Sequence, residues 1–352
     1  MLGIDPRAAR YTWTVAVIVL LLWLVYWMRT TVFVFIVALL FGYLLSPLVN
    51  VIDRFLPGKR TRTLALAIAY VIFIGIIFVA VSQIGAHAVE EAHSLAESMP
   101  AKFAAFQQPN HALSPAENSF KAQLVQKAQE QFAKASSNLI SSLPSAGIRI
   151  LSVAGNLIYV VVVPILGFFF LKDGRAIREH FLGMIDDDRR RAQVDGLLAD
   201  VDLLLAHYMR AILILSLATF TSYSIFFTII GVPYSILLSA LAAGLEFIPI
   251  VGTLSAGVII LIVTAVSGGP FLGALIFLAV YRMLQDYGLS PLLMRAGMQL
   301  HPLLVLFGVF AGGELAGVAG AFLSVPVLAL GRIAYRRLRQ QRLVHTVPGP
   351  AP

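Results

Sequence analysis

The sequence predicts an all-α integral membrane protein: a multi-span helical bundle with two re-entrant hairpins in inverted repeat, plus a small extracytoplasmic helical domain. Three observations predict it. Of 352 residues, 59% are hydrophobic and only 12% are charged, against about 25% charged in a soluble domain. Several apolar runs reach the roughly 20 residues that a spanning helix needs. Two further apolar stretches are too long for one span, and each is broken near its middle by glycine or proline beside a glutamate.

The full spans are expected at about 12–28, 31–49, 64–84, 151–171, 212–230 and 271–289. The first has no small-residue cleavage site behind it and reads as a retained span rather than a signal peptide. Basic residues set the orientation. Arg7 and Arg10 precede the first span, and Arg54, Lys59, Arg60 and Arg62 follow the second. Lys172, Arg175, Arg178, Arg189, Arg190, Arg191 and Arg210 follow the fourth, and the tail carries Arg332, Arg336, Arg337, Arg339 and Arg342. A cytoplasmic N-terminus puts all of these inside, leaves 85–150 outside, and returns the C-terminus to the cytoplasm. The chain then divides into three spans (1–84), an extracytoplasmic helical segment (85–150), a fourth span (151–171), a cytoplasmic amphipathic region (172–211), a core with both broken stretches (212–331) and a basic tail (332–352).

Val89, Ala92, Leu95, Ala96 and Met99 repeat at helical spacing in the outer segment. Ser114-Pro115-Ala116-Glu117 reads as a capping box with proline at the first helical position, opening a helix that carries Phe120, Leu124, Ala128 and Phe132 on one face. On the inner side, Val194, Leu197, Leu198, Val201, Leu204, Leu205 and Tyr208 form one stripe over 186–210. Asp195, Asp200 and Asp202 lie off it.

The first broken stretch runs from Ser235 through Glu246-Phe-Ile-Pro249-Ile-Val-Gly252 to about 266. The second runs from Pro302 through Gly312-Gly313-Glu314-Leu-Ala-Gly317 to about 331. Pro233 lies 13 residues before Glu246, and Pro302 lies 12 before Glu314. Each arm has about 15 residues, or roughly 22 Å, against a hydrocarbon core of about 30 Å. That is short for a crossing, so the arms read as hairpins whose tips stop inside the membrane. Each hairpin follows one full span, with opposite orientation. That is the inverted repeat of many secondary transporters, whose site forms where broken segments meet. Pro249, Gly252, Gly312, Gly313 and Gly317 are the expected tip and gating positions. Ten full crossings are the alternative.

An ionisable residue within a membrane is costly and points to function. Glu246 and Glu314 at the two breaks, with Asp286 and Arg282, are the candidate substrate- or ion-binding residues. Arg282 and Asp286 stand at i, i+4 and can pair on one helix face. The structural alternative is that these groups only satisfy each other or the hairpin backbone. Asn156, Tyr159, Thr219, Thr221 and Ser222 read as packing or helix–helix contacts, and His301 as a structural hydrogen-bonder. The Gly308-xxx-Gly312 spacing serves hairpin packing as well as self-association, so a homo-oligomer stays open. With no cysteine, thiol chemistry and thiolate metal sites are excluded. The histidines offer no ligand spacing, and enzyme and nucleotide-binding signatures are missing. The expectation is therefore no cofactor, no metal and no nucleic-acid partner; the partners are the bilayer and a small transported species.

These segments together resemble the autoinducer-2 exporter family of bacterial membrane proteins. The resemblance is carried by 164–174, Gly231-Val-Pro-Tyr234, Glu246-Phe-Ile-Pro-Ile-Val-Gly252, Leu289-Ser-Pro-Leu-Leu-Met294, Leu300-His-Pro302, and Ala311-Gly-Gly-Glu-Leu-Ala-Gly317 with Val325-Pro326. It implies an inner-membrane transporter without ATP binding, exporting a small polar solute such as autoinducer-2 or exchanging sodium or lithium for protons. A membrane scaffold without transport is the reading from another class.

Overall fold

The computed structural model describes residues 6–56, 61–107, 154–289 and 300–346, together with single positions between 119 and 130 and at 292. Every element among them is a helix: α1 Pro6–Trp27, α2 Arg29–Phe55, α3 Thr61–Ala80, α4 Ala86–Gln107, α5 Ala154–Gly183, α6 Asp188–Ile230, α7 Ser235–Leu245, α8 Val251–Val266, α9 Phe271–Leu284 and α10 Pro302–Thr346. Among the described residues, four helical runs are long and apolar enough to cross a membrane, Arg29–Phe55, Arg62–Ala105, Asp188–Ile230 and Pro302–Arg337, the last of them kinked at Ala316 and Gly317. The large apolar side chains of α1 and much of α3 are not covered by protein, as a lipid solvent allows. Tyr11 and Trp13 sit near one end of α1, with Tyr26 and Trp27 at the other, where interfacial aromatics belong.

Two boundaries drawn from composition are not breaks in the backbone. Between α3 and α4 the chain makes a π-helical turn at Val81–Gly85 and stays helical, so the outer segment starts as an extension of the third span. The amphipathic stretch 186–210 and the fifth span are likewise one helix, α6, of 43 residues. At about 1.5 Å per residue it is roughly 65 Å long, about twice the hydrocarbon thickness. Asp187 caps its start, accepting from Arg189 N and Arg190 N. Gly231, left-handed at φ 75°, ends it. The helix expected from Ser114 lies largely outside the described residues. Its Val125 is buried with Met99 and Phe103 of α4.

The central helix α6 joins two apolar clusters. Around its middle, Leu204, Leu205, Tyr208, Met209 and Ile212 pack with Leu40 of α2 and with Leu323, Val325 and Ala329 of α10. Near its end, Phe227 and Val232 pack with α4, α7, α8 and Ala274 of α9. The aspartates off the apolar stripe are bonded to other helices. Arg178 of α5 pairs with Asp195 at 2.7 Å and Asp202 at 3.2 Å. Tyr43 of α2 donates to Asp202, and Arg337 of α10 pairs with Asp200 at 2.6 Å. These pairs are partly exposed, so each contributes modestly. Their joint effect is to fix the mutual register of four helices.

Both broken stretches turn back on themselves. In the first, α7 stops at Leu245 and α8 starts at Val251. Ile250 stands at φ 65°, an uncommon conformation for a β-branched residue. A Cβ on Gly252 would collide with the Leu245 carbonyl, so only glycine fits there. In the second, the turn falls at Ala316 and Gly317, whose dihedrals leave the helical region. This is the far end of the expected stretch, Gly312 to Gly317. Gly312 and Gly313 lie within the first arm, and of the three glycines only Gly317 is at the turn. Gly312 faces Gly320 across the two arms, each leaving no room for a Cβ on the other. Small residues of this kind let helix backbones approach closely. The two hairpins touch: the rings of Phe247, within the first break, and Phe322, on the second arm of the other hairpin, are 5.8 Å apart.

The glycine pair predicts a contrast. Gly312→Val should force the arms apart and lower thermal stability on the scale of overpacking, about 1–3 kcal/mol. Gly313→Ala, whose Cβ would meet nothing within 4 Å, should match or exceed the parent in a thermal-unfolding assay. Equal stability of the two variants would refute the close arm packing.

Candidate substrate cavity

A cavity of about 230 Å³ lies between the first hairpin, α6 and α9. Apolar residues of α8, among them Leu254, Val258 and Leu261, form much of its wall. Its polar groups are few: Thr219, Glu246, Thr253, Arg282 and Gln285, with Tyr223 beside them. An apolar pocket with a few convergent polar groups is the usual form of a small-molecule site.

Glu246 sits where α7 ends and is buried, only 8% exposed. Its two carboxylate oxygens are bound from two different helices. Gln285 Nε2 of α9's final π-helical turn donates to Oε1. Thr219 Oγ1 of α6 donates to Oε2 at 3.3 Å. Thr219 also lies 3.1 Å from the Tyr281 hydroxyl. Gln285 lies one α-turn after the buried Tyr281, and its N–H still bonds the Tyr281 carbonyl, so it shares that inward face, at 3% exposure, while Asp286 is exposed. A π-helical turn, Gln285–Leu289, begins there. Such turns are frequent at functional sites. An aromatic wall supports the group. The Phe226 and Phe277 rings stack at 4.1 Å, and Tyr223 meets Tyr281 edge-on at 5.0 Å, tying α6 to α9.

Arg282 Nε donates to Asp286 Oδ2 at 2.8 Å, the i, i+4 pair expected from the spacing. Both are partly exposed, and Arg282 lines the cavity. With Glu246 and Asp286 ionised against one guanidinium, the group carries one net negative charge. It can therefore accept a cation, a proton, or hydroxyl donors of a small polar solute.

The structure brings Glu246 and Arg282 to one cavity; Asp286 is exposed and reaches it only through its bond to Arg282. Glu314 is not among the lining residues. It is exposed beside the second hairpin's turn, as are Leu315 and Val318. Pro249 and Gly252 stand at the first break next to Glu246. Sequence reasoning read Thr219 as packing and gave Gln285 no role of its own. The signal for Gln285 was its place four residues after Tyr281, on the same helix face. Among the described residues, no group of three or more metal-ligating side chains is gathered.

A profile described as "AI-2E family transporter" matches residues 15–340. The chain is 30% identical over 332 residues to the protein MT0215 of Mycobacterium tuberculosis (strain CDC 1551 / Oshkosh), covering 92% of this chain and 87% of that one. It is 26% identical to YueF of Bacillus subtilis (strain 168), covering 84% and 83%. It is 25% identical to YrrI of the same organism, covering 92% of each. All three carry names that assign them to transport.

The hydroxyls predict opposite outcomes for two similar substitutions. Thr219→Val strips a bond from both Glu246 and Tyr281 in a buried setting, and should cost about 1–3 kcal/mol of thermal stability. Thr264, also buried, has a hydroxyl without a partner among the described residues. Thr264→Val should be neutral or stabilising. A neutral Thr219→Val would show that the Glu246 network is not formed.

Proposed function

Because the chain belongs to the AI-2E transporter family, we propose that it is a secondary transporter whose substrate or coupling ion binds in the cavity beside Glu246. The observation that carries this reading is the buried carboxylate at a helix break, bonded by Gln285 and Thr219. A protein with only a packing need could place an apolar residue there and avoid the cost of a charge, about 2.5–3.5 kcal/mol on insertion scales.

The transported species is a small polar solute of the autoinducer-2 kind. The Glu246 carboxylate in the cavity wall favours a second reading, exchange of sodium or lithium for protons, in which Glu246 alternates between ion and proton. The hairpins are re-entrant. For the first, support comes from its arms: α7 has 11 residues and α8 has 16, or about 16 and 24 Å, both short of a 30 Å core. Irregular backbone at that depth survives only beside protein or a watery cavity, and the Glu246 cavity adjoins the first break. The protein sits in the bacterial inner membrane with both termini cytoplasmic, as the basic loops require.

Flux in proteoliposomes tests the proposal, with autoinducer-2 in one arm and sodium or lithium under a pH gradient in the other. Glu246→Gln keeps the shape and removes the charge. It should insert and fold like the parent and lose about tenfold or more of the flux, the scale of one charged hydrogen bond. Glu314→Gln should retain most of it. Full flux with Glu246→Gln would remove Glu246 from the site.

A further inference from the structure

Helix α7 begins without a cap of its own. Tyr234 occupies the N-cap position, and its side chain makes no capping hydrogen bond. The free amide is met from another element instead. Leu237 N donates to Glu91 Oε2 of α4 at 2.7 Å. A carboxylate at a helix N-terminus satisfies an orphan N–H and complements the helix dipole. Tyr234 is itself held by α4. Its hydroxyl lies 2.7 Å from Ser98 Oγ and accepts from Lys102 Nζ at 3.1 Å. The Lys102 ammonium also stands 5.2 Å from the centre of the Tyr234 ring. Beneath these polar contacts, Met99 and Phe103 are buried in a cluster with Leu238 and Ala242 of one arm and Ile260 and Val263 of the other. Helix α4 therefore grips both arms of the first hairpin.

The gripped end is also where the hairpin joins the rest of the chain through bent backbone. Gly231 at φ 75° and Tyr234 at φ 60° flank Val232-Pro233, and Gly268 at φ 69° follows the second arm. A left-handed tyrosine is costly and persists only where its surroundings enforce it. A Cβ on Gly269 would stand 2.8 Å from Pro233 Cδ, so the two ends of the hairpin are pressed together. Both arms thus bend at one level, and α4 fastens that level.

We infer that α4 is a latch on the first hairpin. Glu91, Ser98 and Lys102 hold Tyr234 and the start of α7, and their release lets the hairpin swing about its two bent ends, carrying Glu246 and opening the cavity. The latch goes beyond the transport reading, because it concerns the movement of the hairpin whatever species is carried.

The chain has no cysteine, so one introduced thiol reports on one place. Ala242 is 2% exposed, belongs to the cluster under α4 and lines the cavity. In full-length protein reconstituted in liposomes, Ala242→Cys should react slowly with a small charged methanethiosulfonate. Adding Glu91→Ala and Tyr234→Phe removes the latch's carboxylate and phenol but leaves Met99 and Phe103 in place. The labelling rate should then rise about tenfold, the scale of a few lost hydrogen bonds. Leu45→Cys, on α2 and 2% exposed in the parent, should stay protected in the same background. An unchanged rate at Ala242→Cys, or an equal rise at Leu45→Cys, would show that α4 is ordinary packing and not a latch.

Discussion

Everything around the cavity depends on the Glu246 carboxylate being held from two sides. A helix that breaks within an apolar core leaves backbone groups that must be satisfied locally. Here the break is anchored by a side chain. Gln285 holds one oxygen and Thr219 the other, so the tip of the first hairpin is fixed to α9 and to α6 at once. Thr219 passes the contact on to Tyr281, and Tyr281 to the aromatic wall of Tyr223 and Phe277. Remove the carboxylate, and the first hairpin, α6 and α9 lose their common point.

The two hairpins are unequal, although their sequences look alike. The first is wedged between α6 and α9 and covered by α4, so its glutamate turns inward. The second packs chiefly arm against arm through Gly312 and Gly320, and meets the rest of the protein through Phe322, Leu323 and Val325. Its glutamate stands clear of the cavity. The two stretches thus share a pattern of small residues and breaks, while only the first supplies a buried charge. On the side of Asp200 and Asp202, ion pairs to Arg178 and Arg337 fix α5 and α10 against α6. The region around Glu246 is held by neutral donors instead.

How much of this was legible depended on the kind of signal. Hydropathy located the helices, because a lipid solvent demands long apolar runs. The first break was legible at Glu246–Gly252, where proline and glycine end a helix whatever surrounds it. The second was expected across Gly312–Gly317 and falls at the far end of that stretch, at Ala316 and Gly317, because a glycine serving close packing looks the same in sequence as one serving a turn. The i, i+4 pairing of Arg282 with Asp286 followed from helix geometry alone. The roles of Thr219 and Gln285 could not be read, since they come from contacts across 27 and 39 positions of chain. The continuity of α6 was hidden by a change from amphipathic to uniformly apolar composition midway along one unbroken helix.

The central claim is that the transported species occupies the cavity beside Glu246. Gly257 lines that cavity, and a Cβ there meets nothing within 4 Å; Gly75, on α3, is equally free of neighbours and lies outside it. The direct measurement is the thiol-labelling rate of Gly257→Cys in liposomes, with and without each of autoinducer-2, sodium and lithium, with Gly75→Cys as the reference. The account predicts that the species showing flux slows labelling at Gly257→Cys and leaves Gly75→Cys unchanged. A species that is transported yet does not protect Gly257→Cys would contradict it.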